Sequence, residues 1–267
     1  MSDPKTIRLA DYRAPAYLVD SVDLRFELGE TGTDVQATLQ LRRNPAAGAG
    51  PAPLVLDGQQ LELLALALDG VPLPATRYQL DDAQLTVTDV PAAFRLDLTT
   101  RIHPETNTAL EGLYRSSGNF CTQCEAEGFR KITYYPDRPD VMARFTTTVV
   151  AERARYPVLL SNGNPVGRGE FDDGRHWVRW VDPYPKPAYL FALVAGDLGC
   201  VRDSFVTASG RGVALEIYTE HDKLDQCEHA MASLKRAMRW DEVRFGLEYD
   251  LDIYMIVAVS DFNMGAM

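Results

Sequence analysis

Apolar and polar positions alternate through much of the first hundred residues. From Tyr17 to Leu28 the apolar side chains fall at 18, 22, 24, 26 and 28, the period of a half-buried strand. The alternation repeats from Asp34 to Arg42, after the turn sequence Gly29-Glu30-Thr31-Gly32, and the two runs predict a hairpin. Further strands are expected at 76–80, 83–88 and 94–102, while Asn44 to Pro53 reads as a Pro/Ala/Gly loop. Short strands punctuated by Gly, Pro and Asp predict a mainly β, antiparallel sandwich or saddle-shaped sheet.

The β pattern resumes at Ala143–Glu152, Val158–Ser161, Trp177–Val181 and Tyr189–Ala195. Asn162-Gly163-Asn164 and Asp172-Asp173-Gly174 are turn sequences. The proline-rich stretch Asp182 to Pro187 reads as a stiff connector, because proline cannot donate to a central ladder. The texture changes near 197–203. A strand at Val213–Thr219 leads into a long helix over about 225–245, with Asp225 as N-cap, Glu228 completing a capping box and Gly246 ending it. Ala230, Leu234, Ala237, Met238 and Val243 supply its apolar stripe. The near-continuous apolar run Ile253–Val259 reads as a strand buried on both faces. These patterns divide the chain into an N-terminal β-domain, 1–197, and the opening of an α/β domain, 198–267, expected to be truncated and marginal in stability.

Composition narrows the function classes. Among 267 residues, 46% are hydrophobic and 24% charged, the balance of a soluble globular protein. The net charge of -11 argues against a nucleic-acid surface, which needs clustered Lys and Arg to neutralise phosphates. No apolar leader follows Met1, and the run Leu61–Leu68 is too short to span a bilayer, so a cytoplasmic protein with no membrane partner is expected. Four cysteines are too few for a disulfide scaffold in a chain this long.

The candidate chemistry is concentrated in one place. None of the four histidines sits in His-Glu-x-x-His, the helical pair that binds zinc. Cys121-Thr122-Gln123-Cys124 has the spacing of a redox pair or half a metal site, but no second pair or nearby His completes one. Around it lie Glu111 to Tyr114, Glu125 to Arg130 and Tyr134 to Asp140, which together read as a loop-rich polar segment inside a β-rich region.

Those residues carry a resemblance. Glu111-Gly112-Leu113-Tyr114, the run Phe120 to Arg130, and Tyr135-Pro136-Asp137-Arg138-Pro139-Asp140 resemble the aminopeptidase N family of zinc peptidases. So do Leu160 to Asn164, Lys186-Pro187 and Tyr189 to Asp197. Asp261 to Met267 resembles the lead into the family's Gly-Ala-Met-Glu-Asn exopeptidase motif, of which only Gly265-Ala266-Met267 is present. The likeness covers essentially the whole chain and is nearest to the bacterial alanyl aminopeptidase branch.

The resemblance implies that 198–267 begins a thermolysin-like catalytic domain. It further implies an enzyme that removes single residues from the free N-terminus of peptides, with broad specificity favouring Ala, Arg, Lys or Leu. Glu125 would bind the substrate's α-ammonium group and Gln123 would be a neighbouring polar contact. Gly265 and Ala266 would line the substrate backbone, and Met264 would cushion the first side chain. Zinc is implied for the longer protein and none for this chain, which lacks the zinc helix and its general base; alone it is expected to be inactive. Its partners would be peptide substrates and the missing catalytic and C-terminal domains. Two other readings stand beside this one. The chain would be a non-catalytic binding module that reuses the β-domain, or an unrelated β protein whose Cys121 and Cys124 form a redox or metal site.

Overall fold

Alternation in the first fifty residues becomes a long hairpin. Strands Tyr17–Gly29 and Gly32–Arg43 pair antiparallel, with Gly29 opposite Gly32 across the turn. Their inward residues, among them Val22, Leu24, Phe26, Val35 and Leu39, are fully buried, while the outward ones, such as Asp23, Arg25, Gln36 and Gln40, are charged or polar. The computed structural model describes residues 8–48, 50–262 and 265.

The hairpin forms the centre of an eight-stranded sheet. On one side of it lie Ala93–Ile102, Glu62–Leu68 and Val71–Pro72; on the other lie Met142–Glu152, Arg175–Pro187 and Asn164–Glu170. The pairing is antiparallel except between Tyr17–Gly29 and Met142–Glu152, which run parallel. A four-stranded sheet packs against it, in the order Val158–Ser161, Leu193–Gly196, Asn119–Gln123, Gly112–Ser116. A three-stranded sheet of Leu54–Asp57, Gln84–Val87 and Tyr78–Leu80 completes the β-rich part. The expectation of a mainly β architecture holds.

Four local expectations are corrected. The prolines of 182–187 lie inside the strand Arg175–Pro187, beyond Val181, the last residue paired with Asn164–Glu170. On one side that half has no strand paired with it among the described residues, so the missing N–H groups cost no ladder bonds there. Residues 188–190 form a 3-10 turn, and the following strand starts only at Leu193. The helix is Glu228–Phe245, preceded by a 3-10 helix, His221–Gln226. Asp225 is therefore already helical and caps nothing, whereas Gly246 ends the helix with φ 66° as expected. The buried helix face is Met231, Leu234, Met238 and Glu242, with Ala237 and Val243 exposed. Finally, Ile253–Val257 is half-buried along its length rather than enclosed. The one strand paired with it among the described residues is Gly212–Thr219, which runs parallel to it through the helix crossover.

The strand–helix–strand unit seats on the β-rich part through Leu160, Trp180, Leu198 and Tyr218, with Ile253, Met255 and Val257 packed against them. Asn164 and Asp252 add two hydrogen bonds across the same seam, at 3.0 and 2.9 Å.

A second tie joins hairpin turn to hairpin edge. Glu30, in the first turn, accepts from the Tyr156 hydroxyl at 2.6 Å and faces Arg115 at 3.2 Å and Arg155 at 3.0 Å. Burial works against its ionisation, but Tyr156 and the two guanidiniums outweigh it and hold the carboxyl below its ordinary value. The stability this lends is present above the unfolded value of 4.5 and is lost as pH falls through the lower folded one. Glu30→Gln should therefore destabilise the chain at pH 7 by less than about 1 kcal/mol, since the pair is half-exposed and screened. Urea denaturation at pH 7 and at successively lower pH should show the difference vanishing in acid.

Candidate substrate-binding site

The segment that reads as a polar loop is in fact a buried hairpin followed by a short loop. Strands Gly112–Ser116 and Asn119–Gln123 are joined by Ser117-Gly118, with φ of 50° and 86°, the two positive values a type I′ turn requires. That two-residue turn was the available signal. Because opposed residues share a face, Leu113 and Phe120 point into the main core, whereas Tyr114, Ser116, Cys121 and Gln123 point to the other side.

The second strand delivers Gln123 and Cys124, both fully buried, and then Glu125, which is exposed. The Gln123 Nε2 donates to the Glu125 carbonyl at 3.0 Å. The chain then folds back, with the Gly128 N–H donating to the Cys124 carbonyl at 2.7 Å. A Cβ at Gly128 would stand 2.5 Å from the Gln123 carbonyl oxygen and 2.9 Å from the Gly112 nitrogen, so this close return requires glycine. The Glu125–Ala126 peptide is cis. Phe129 follows, fully buried against Phe191, Tyr135 and Phe145 at centroid distances of 5.4, 5.1 and 5.9 Å.

Arg130 closes the loop. Its backbone N–H and its Nε both donate to Asp137 Oδ2, at 3.0 and 3.2 Å, and a terminal nitrogen donates to the Asp137 carbonyl at 3.0 Å. Its other terminal nitrogen pairs with Glu127, on the loop itself, at 3.2 Å. The Asp137 N–H in turn donates to Asp57, which exchanges backbone hydrogen bonds with Tyr135. Burial pushes the Asp137 carboxyl up, against the bonds from Arg130 that draw it down.

The chain past the last strand returns to this hairpin. Ser116 Oγ donates to Asp261 Oδ2 at 2.8 Å, and the Asp261 N–H donates back to Ser116 Oγ at 3.0 Å. The Tyr114 hydroxyl donates to the Asp261 carbonyl at 2.9 Å. Asp261 therefore meets the same hairpin face that carries Gln123. Sequence reasoning did not single out Ser116, Tyr114 or Asp261 as a joint.

Of the five residues singled out from sequence, Gln123 and Glu125 are adjacent and hydrogen-bonded. Gly265 lies exposed in a bend, where an added Cβ would meet nothing within 4 Å. Met264 and Ala266 lie outside the described residues. Cys121 and Cys124 are buried free thiols; burial pushes Cys121 up to about 11 and Cys124 well above the ordinary value, so neither is a thiolate near neutrality. Among the described residues no group of His, Cys, Asp and Glu is placed to hold a metal ion. No described helix is long and apolar enough to cross a membrane.

Within a mainly β fold, a buried hairpin and the short loop after it hold an exposed carboxylate, and the chain past the last strand returns to the same hairpin at Asp261. Residues 22–190 match the peptidase M1 N-terminal domain, and the chain belongs to that family. It is 55% identical over 257 residues to aminopeptidase N of Escherichia coli (strain K12), covering 96% of this chain and 29% of that protein. The crystal structure of Legionella pneumophila aminopeptidase A in complex with aspartic acid superposes with a TM-score of 0.93 at 36% identity, over 97% of this chain and 30% of that one. A point mutant of an M1 zinc metallopeptidase from Deinococcus radiodurans shares the fold, with a TM-score of 0.76 at 20% identity, over 91% of this chain and 56% of that one. The chain thus spans less than a third of the length of its aminopeptidase N relative.

Replacing Asp261 by Ala removes the bond from Ser116 Oγ to the carboxylate and leaves the two backbone bonds of the joint in place. Amide hydrogen exchange at 258–262 should speed by about tenfold, equivalent to roughly 1.4 kcal/mol of local opening, while the strands of the eight-stranded sheet keep their protection.

Proposed function

We propose that this chain is the N-terminal part of a zinc-dependent aminopeptidase that removes single residues from the free N-terminus of peptides. Glu125 is its amine anchor. The observation that carries this reading is the exposed carboxylate of Glu125 at the end of a buried strand, on a loop fixed at both ends. A free N-terminus is largely ammonium near neutral pH, whereas an internal peptide nitrogen bears no charge. A fixed carboxylate therefore favours chain ends through a charge-assisted hydrogen bond that internal peptides cannot make.

Gln123 is the neighbouring polar group, and Met264, Gly265 and Ala266 line the bound peptide's first residues. The return of Asp261 to Ser116 supports this, since it brings the approach to that segment onto the face that Gln123 shares. Residues 1–197 form the β-domain, and 198–267 begin a thermolysin-like catalytic domain. The specificity is broad, favouring Ala, Arg, Lys and Leu, and the enzyme works in the cytoplasm. Its further partners are the catalytic and C-terminal domains of the longer protein. Zinc in that protein is supported by the related metallopeptidases; in this reading residues outside this chain hold it, and the chain alone is inactive.

In the full-length enzyme, Glu125→Gln should raise KM for aminoacyl amides and lower kcat/KM about tenfold to a hundredfold, the loss of one charge-assisted hydrogen bond. Steady-state kinetics on alanyl-4-nitroanilide checks this. An unchanged kcat/KM would remove Glu125 from the site.

A further inference from the structure

We propose that Arg130 and Asp137 form a positioning pair that aims the Glu125 carboxylate, so that amine recognition depends on an ion pair buried behind the loop. The inference rests on Glu125 being the amine anchor.

Among the described residues the Glu125 side chain makes no hydrogen bond or ion pair of its own. Its direction is thus set by the backbone from Gln123 to Arg130. Upstream, Gln123 holds the Glu125 carbonyl. Downstream, one guanidinium joins three places: Asp137 through Nε and a terminal nitrogen, Glu127 on the loop, and Asp57 at 4.0 Å on the strand Leu54–Asp57. Glu127 lies two residues from Glu125, so the Arg130–Glu127 contact closes the loop onto its own anchor. The Asp137 side chain is only 2% exposed and that of Arg130 14%.

A buried ion pair is a weak source of net stability, because desolvation offsets most of the attraction, and apolar residues of similar size would serve a purely structural purpose as well. Its advantage is geometric. Two donors of a planar guanidinium on one aspartate, with a third on Glu127, admit one orientation of the loop where apolar packing would admit several. The interaction of Glu125 with an ammonium group exists in both the bound substrate and the transition state. Misaiming it should therefore appear mainly in KM.

The test uses the full-length enzyme with alanyl-4-nitroanilide and four variants: Arg130→Lys, Asp137→Asn, Glu125→Gln, and Arg130→Lys combined with Glu125→Gln. Arg130→Lys keeps the charge and loses the two-donor geometry. It should raise KM about tenfold while kcat changes less than about twofold. On the Glu125→Gln background the same change should raise KM by less than about twofold, because nothing remains to aim. If Arg130→Lys does not fold, as judged by its thermal transition, Asp137→Asn combined with Glu125→Gln serves in its place with the same expectation. A loss of kcat with KM unchanged, or a full effect persisting in the double variant, overturns the positioning role alone. An unchanged KM for Glu125→Gln by itself overturns the anchor reading, and this inference with it.

Discussion

Phe129 is where the exposed loop meets the interior. Its ring lies among Tyr135, Phe145 and Phe191, and Phe191 stacks in turn on Phe26 of the central hairpin at 5.9 Å. Edge-to-face contacts of this kind add to the burial of large apolar surfaces and favour particular ring orientations. Because Phe129 adjoins Arg130, its seating also places the guanidinium beside Asp137. A surface carboxylate on a free loop would sample many directions and lose most of its selectivity to entropy. Here the loop between Gln123 and Arg130 is held by a buried amide at one end and by an aromatic plug with an ion pair at the other.

The strand–helix–strand unit is attached at two separated places. At one, Leu160 and Trp180 of the β-rich part pack on Leu198 and Tyr218, and the Trp180 indole N–H donates to the Leu159 carbonyl at 3.2 Å. At the other, Asp261 bonds reciprocally with Ser116 and accepts from Tyr114. Burial keeps the Tyr114 hydroxyl protonated, so it remains a donor across the physiological range. Apolar burial supplies the attachment, and the polar joint sets the path of the chain past residue 258.

Period-two alternation made the long hairpin legible, since a one-residue slip would move every apolar side chain of 22–28 to the wrong face. The mainly β class followed from the same pattern. Three misreadings come from structural surroundings that the local pattern does not carry. The prolines of 182–187 are tolerated because that half of the strand passes the end of its outer partner. The run 253–257 looks like an enclosed strand but pairs with a single strand among the described residues. Asp225 has the chemistry of a cap, yet a preceding 3-10 helix makes it helical. Glu242 is buried on the helix face because its carboxylate accepts from the Ala208 N–H at 2.9 Å, a contact with no trace in periodicity. At the site, Glu125 and Gln123 were accessible only through resemblance to a family. Composition could not separate Arg130 and Asp137 from an ordinary surface ion pair, because the burial of the aspartate is a property of the folded chain and not of its sequence neighbours.

Amine anchoring by Glu125 is best read from discrimination between a free and a blocked N-terminus. The full-length enzyme and its Glu125→Gln variant would be compared on a short peptide and its N-acetylated twin, by kcat/KM. If Glu125 anchors the amine, the enzyme strongly prefers the free N-terminus and the variant loses that preference. A preference of the same size in both enzymes would contradict that role.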